Sequence, residues 1–119
     1  MTATVLLVED QMLLGFALRR RLESEGFSVV GPAASVAAAT ALLDGREVDF
    51  AVLDINLGFG TDSLAIADTL AGLGVPFVFL SGYGSGRQLP DRFSAVTRFT
   101  KPANEAVAAF ARGVVRPAS

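Results

Sequence analysis

Residues 4–10 read TVLLVED, an apolar run that ends in the carboxylates of Glu9 and Asp10. A run of this kind is typical of an inner strand of a parallel sheet, which is buried on both faces. Two later runs end in Asp54 and in Lys101, the only lysine of the chain. The ligand crevice of an open α/β sheet lies just beyond the carboxyl ends of its strands. We therefore expect these side chains to meet at one edge, where carboxylates can hold a hard divalent cation.

Strand-like and helix-like segments alternate along the whole chain. The predicted strands are 4–8, 27–30, 48–54, 75–80 and 96–100, and the predicted helices are 11–25, 35–43, 63–70 and a last one after Pro102. This alternation predicts an α/β fold, a parallel sheet with helices on both faces. Of the two plausible strand orders we favour the flavodoxin-like order 2-1-3-4-5. It places strands 1 and 3 side by side and so brings the three carboxylates together.

Some helical positions have a clear pattern and one segment does not. Leu14, Leu18 and Leu22 form a stripe on the first helix, and Val107, Phe110 and Val114 form another on the last. Residues 82–95 contain several glycines, a proline and few apolar residues in helical register. This segment predicts a fourth helix that is short, irregular or mobile.

Composition limits the chemistry. The 119 residues suit one domain, residues 1–119, with a formal net charge of −2 and no basic run longer than Arg19–Arg21. A nucleic-acid partner is therefore not expected. The absence of cysteine and histidine excludes disulfides, thiolate nucleophiles and histidine-based triads or metal sites. With no signal-peptide pattern and no apolar run of membrane-spanning length, we expect a cytoplasmic protein without a membrane partner.

Five features in order along the chain carry a family resemblance. They are the pair Glu9-Asp10, Asp54 after strand 3, Ser81 after strand 4, and Lys101-Pro102 after strand 5. In this order and at this spacing the chain resembles the receiver domain of two-component response regulators. Residues 76–84, PFVFLSGYG, are also similar to an atypical, often single-domain branch with a Phe-Ala-Thr-Gly-Tyr-Gly motif. Leu80 and Ser81 here replace the alanine and threonine of that motif.

The resemblance implies a role for each residue at the predicted edge. Glu9, Asp10 and Asp54 would bind Mg²⁺ together with the backbone carbonyl of Asn56, since Mg²⁺ prefers about six oxygen ligands. Asp54 would accept a phosphoryl group, and an aspartyl phosphate needs no histidine on the acceptor. Lys101 would pair with a phosphoryl oxygen, aimed inward by a cis bond to Pro102.

The resemblance also implies partners. The phosphoryl donor would be a sensor histidine kinase or a histidine phosphotransfer protein, or a small phosphodonor, and a downstream target protein would read the result. Such a chain is a signalling phosphoacceptor rather than a metabolic enzyme. Phosphate relay, competition for a kinase and phosphorylation-dependent target binding all stay open.

The element that would change conformation on phosphorylation is the loop after Ser81 together with strand 5. Ser81 would donate its hydroxyl to the phosphoryl group. Receivers typically carry an aromatic switch three residues before the lysine, and here that residue is Arg98. The nearest aromatic side chains in sequence are Phe99 and Tyr83. We predict that Tyr83 and the segment 82–95 report phosphorylation instead.

Two other functions fit the fold class. One is a protein-interaction module that keeps the fold but takes no phosphate; the presence of Asp10, Asp54 and Lys101 disfavours it. The other is a flavin- or nucleotide-binding protein, or a phosphatase, of the same topology. The first strand–helix turn has no glycine-rich phosphate cradle and no Asp-x-Asp pair, which disfavours this class.

Overall fold

A computed structural model describes residues 2–58, 60–82 and 88–115. In this part of the chain five strands form one parallel sheet in the order β2-β1-β3-β4-β5, as the sequence predicted. The strands are β1 Thr4–Val8, β2 Ser28–Ala33, β3 Phe50–Asp54, β4 Phe77–Ser81 and β5 Arg98–Thr100. The helices are α1 Met12–Ser24, α2 Val36–Leu43, α3 Leu64–Leu73 and α4 Asn104–Val114.

The helices divide between the two faces of the sheet. On one face α1 and α4 pack against β-strand side chains of the first core, which includes Leu7, Leu22, Phe50 and Val107. On the other face α2 and α3 pack on a second core that includes Phe79. Alternate residues of each buried strand point into different cores, which explains why the strand sequences are apolar throughout.

β1 has the predicted bounds, and β3 and β5 end at the predicted residues, while β4 ends one residue later, at Ser81. β3, β4 and β5 each start two residues later than expected, at Phe50, Phe77 and Arg98. Before β4, Pro76 has no N–H to donate, although its carbonyl accepts from the Ala51 N–H at 3.1 Å.

β2 is longer than predicted. It runs to Ala33 through a cis Gly31–Pro32 peptide bond, and its pairing with β1 shifts register there. A proline is tolerated at this place because β2 is an edge strand.

Helix boundaries follow capping chemistry. Ser35 caps α2 as predicted, its hydroxyl accepting from the Ala38 N–H at 3.1 Å. α3 continues three residues beyond the predicted Leu70. It ends before Gly74, whose φ of 73° is the left-handed conformation that stops a helix.

Two of the predicted helix stripes are shorter than expected. Leu18 and Leu22 are buried, but Leu14 is 41% exposed. In α4, Val107 is buried while Val114 is 42% exposed. Leu14 and Val114 are thus only partly buried, and helical periodicity overestimated the buried length of each stripe.

In the weak unit between β4 and β5, the described residues 88–95 are mostly irregular, as predicted. Among its described residues the helical structure is a single 3-10 turn, Asp91–Phe93. Phe93 anchors this turn in edge-to-face contact with Phe77 and Phe79, with ring centroids 6.0 and 5.6 Å away. Within the described residues, none of the helices combines the length and apolar character that crossing a membrane requires.

Candidate functional site

The three predicted carboxylates meet at the carboxyl edge of the sheet. β1 and β3 are adjacent, and Val8 pairs with Leu53. Glu9 and Asp54, each the next residue along, therefore stand at the same height. With Asp10 they bring one carboxylate oxygen each to within 4.8 Å of the others. An all-oxygen cluster of this kind fits a hard cation such as Mg²⁺ better than a soft one.

Lys101 faces these carboxylates from the end of β5. Its ammonium lies 2.9 Å from Asp54 Oδ2 and 2.8 Å from Glu9 Oε2. Its backbone N–H donates to the Ser81 carbonyl at 2.8 Å, and its bond to Pro102 is cis, as the resemblance implied. Only 13% of the lysine side chain is exposed, so its ammonium interacts mainly with these two carboxylates rather than with water.

Burial dominates the electrostatics of Asp54. Removal from water raises its pKa, the hydrogen bond from Lys101 lowers it, and the nearby charge of Glu9 raises it again. The result is a pKa of about 7 against an ordinary 3.8. Burial alone would lower the pKa of Lys101, but hydrogen bonds to Asp54 and Glu9 outweigh burial and raise it above its usual range.

Local contacts fix the acidic side chains. Glu9 is 2% exposed; its Oε1 accepts the Gln11 N–H at 3.0 Å and its own N–H donates to the Ala33 carbonyl. Asp10 is partly exposed beside Gly58, where a Cβ would come within 3.1 Å of Asp10 Oδ2. Gly58 has a φ of 80°, so glycine satisfies both the backbone and the limited space next to this carboxylate.

A shallow depression of about 290 Å³ opens above the carboxylates. Its lining includes Asp10, Asp54, Asn56 and Lys101. Asn56 is exposed at the rim, and its backbone bridges to Asp62. The structure thus places Asn56 beside the acidic cluster, while metal binding by its carbonyl stays a prediction.

Ser81 is the last residue of β4 and is buried, with 4% exposed. Asp54 pairs with Leu80 in the sheet, so Ser81 stands one residue beyond Asp54 on the neighbouring strand. The hydroxyl of Ser81 accepts a hydrogen bond from Arg98 Nε at 3.3 Å. No local sequence signal links Arg98 to Ser81, because their contact depends on the pairing of β4 with β5.

Of the two aromatic residues near the lysine and the β4 end in sequence, Phe99 is placed by the structure and Tyr83 is not. Phe99 points into the core on the α1 and α4 face, edge-to-face with Phe110 at 5.9 Å. It therefore lies on the opposite face of β5 from Arg98. Tyr83 lies outside the described residues, and the prediction for it stays a prediction.

The fold and site define an α/β protein whose parallel sheet carries a cluster of carboxylates at its carboxyl edge, with a lysine ammonium in contact with them. The response regulator receiver domain family matches residues 5–107, and the chain belongs to that family. Members of this family are phosphoacceptor switches of two-component signalling rather than metabolic enzymes, and they act through kinases or phosphotransfer proteins and target proteins.

Solved structures agree with this assignment. SdrG from Sphingomonas melonis Fr1 is 34% identical, with 92% of this chain and 95% of SdrG covered and a TM-score of 0.77. The PhyR receiver domain of Erythrobacter litoralis is 24% identical, with 99% of this chain and 94% of that domain covered and a TM-score of 0.75. A CheY-like receiver from Methanospirillum hungatei JF-1 is 20% identical, with 95% of this chain and 93% of that receiver covered and a TM-score of 0.78. The last two show likeness of fold. No curated protein sequence matches the chain.

Proposed function

We propose that Asp54 accepts a phosphoryl group from a phosphohistidine on a sensor kinase or phosphotransfer protein, with Mg²⁺ as the metal. The observation that carries this proposal is the Lys101 ammonium 2.9 Å from Asp54 Oδ2, inside a cluster that also holds Glu9 and Asp10. The combination of a buried carboxylate, a cation and an open depression matches what phosphoryl transfer needs, which is positioning and charge neutralisation.

The chain's own groups have separate tasks. A carboxylate oxygen of Asp54 forms a bond to phosphorus while the bond from phosphorus to the donor nitrogen breaks, giving an acyl phosphate and a free imidazole. Asp10, Glu9 and Asp54 would hold Mg²⁺, with the Asn56 carbonyl as a further ligand, and the metal would neutralise phosphoryl oxygens. Lys101 would neutralise charge on a phosphoryl oxygen as a compact point charge.

The new group changes the balance of charge at this edge. A phosphoryl group adds about −1.5 to −2 charges and three acceptor oxygens. Ser81, the last residue of β4, and Lys101, directly after β5, are donors that would respond to it. The change would be read by a target protein or passed on as phosphate, and we place this exchange in the cytoplasm, where ATP-dependent histidine kinases take up their phosphate.

The direct test is incubation with acetyl phosphate and Mg²⁺, followed by intact-mass measurement. We expect the mass of one phosphate, abolished by chelation of Mg²⁺ and by Asp54→Asn, and retained by Asp44→Asn, which changes an exposed carboxylate at the end of α2. A wild-type chain that gains no phosphate from acetyl phosphate or from a phosphohistidine protein would favour the phosphate-independent interaction module instead.

A further inference from the structure

Arg98 and Ser81 lie on the same face of the β4–β5 pair. Arg98 pairs with Phe79, and Ser81 pairs with Thr100. Because side chains two residues apart share a face, the Arg98 side chain runs along the face that carries Ser81. Its Nε–H reaches the Ser81 hydroxyl at 3.3 Å. An arginine therefore occupies the place next to the hydroxyl that the sequence predicts to contact the phosphoryl group.

The direction of this hydrogen bond matters. Arginine can only donate, whereas a serine hydroxyl has a single proton to donate and lone pairs to accept with. When Ser81 Oγ accepts from Arg98, one of its two lone pairs is engaged, and its proton, which arginine cannot accept, is available for a different acceptor. The phosphoryl oxygens on Asp54 would be such an acceptor, one residue away across the β3–β4 pairing.

We propose that Arg98 is a positioning residue that holds the Ser81 hydroxyl in the orientation that donates to the phosphoryl group. The inference rests on the proposed phosphorylation of Asp54 and adds a residue to it. Ser81 is almost fully buried, so few water molecules can compete for its hydroxyl or orient it in place of Arg98. Arg98 then acts through Ser81 and touches no reacting atom itself.

A matched pair of variants separates this role from a simple effect of charge. In glutamine, Nε2 follows Cδ as Nε does in arginine, so Arg98→Gln keeps an N–H donor at the same place along the side chain and removes the charge. Arg98→Met has similar length with neither the donor nor the charge. The hypothesis predicts that Arg98→Gln stays close to wild type while Arg98→Met does not.

The measurement is the rate constant for phosphorylation by acetyl phosphate at saturating Mg²⁺. We expect Arg98→Met to slow phosphorylation by about two- to tenfold, the range for loss of one oriented hydrogen bond. Mg²⁺ affinity is the internal control for folding, and all variants should keep it because the acidic side chains are unchanged. Equal slowing by Arg98→Gln and Arg98→Met would overturn the inference in favour of a charge effect.

A double-mutant cycle with Ser81→Ala completes the test. If Arg98 acts through the hydroxyl, Arg98→Met has no further effect once Ser81 is alanine. Unchanged slowing in the Ser81→Ala background would contradict the inference while leaving phosphorylation of Asp54 intact. A wild-type protein that takes up no phosphate would instead remove the proposed function and this inference together.

Discussion

The two halves of the site are built differently. The central half, Glu9, Asp10 and Asp54, follows β1 and β3 in the middle of the sheet, and all five residues of β3 are buried. The edge half consists of Ser81 at the end of β4, Arg98 in β5 and Lys101 directly after β5, and the three residues of β5 are partly or fully exposed. Local opening is easiest where few apolar contacts oppose it. We infer that the central half is rigid and that the edge half responds to the phosphoryl group.

Lys101 is the link between the halves, and its removal should have the largest effect. Lys101→Met leaves two buried carboxylates without their cation, and loss of one partner from a buried ion pair costs about 3–5 kcal/mol. We expect a loss of this size in urea unfolding of the metal-free protein at pH 8, partly recovered by Mg²⁺.

Arg112→Met is the matched control for that variant. It removes a cation from a pair with Glu25 at a half-exposed site on the surface, where such pairs contribute little. Similar destabilisation by Lys101→Met and Arg112→Met would show that the two halves are not joined through a buried charge.

The pH dependence of Asp54 tests the central half. Its pKa of about 7 in the folded protein is above the ordinary 3.8, so ionisation of Asp54 costs stability as pH rises through that interval. Asp54→Asn removes this cost. At about 1.4 kcal/mol for each unit of pKa, we expect the variant to be more stable than the metal-free wild type by about 4 kcal/mol at pH 8, with the difference gone below pH ~4.

Urea unfolding at the two pH values checks this expectation. Asp44→Asn, at an exposed position, should change stability little at either pH. A stabilisation by Asp54→Asn that is the same at both pH values would mean that burial of charge in the central half is not its cause.

Asp10 should affect metal binding more than stability. It is the partly exposed member of the acidic cluster and lines the depression. We expect Asp10→Asn to weaken Mg²⁺ binding by at least about tenfold in a calorimetric titration. Binding as tight as in the wild type would move the metal site away from the central half.

The sequence predicted the central half better than the edge half, for a physical reason. A buried strand that ends in a carboxylate is visible in the sequence, because apolar residues on both faces stop at a charged residue. The strand order then places Asp54 beside Glu9. By contrast, strand beginnings such as Phe50 and Phe77 depend on the pairing partner, which local sequence does not contain.

Contacts between distant segments were also beyond prediction. A Cβ on Gly15 would lie 2.7 Å from Pro32 Cβ, so the close packing of α1 on β2 needs glycine at that position. The hydrogen bond from Arg98 to Ser81 depends on the β4–β5 register. The positions of Gly15 and Arg98 in the sequence do not show these contacts, which form only when the sheet and its helices assemble.

The most direct test of the difference between the halves is a comparison of backbone amide spectra with and without Mg²⁺ and beryllofluoride, a phosphoryl analogue. We predict that the largest changes among described strand residues fall on Leu80–Ser81 and on β5, while Val5–Leu7 in β1 hardly shift. Changes in β1 as large as those in β5, or an unchanged β5 in a protein that binds the analogue, would contradict a rigid centre and a responsive edge.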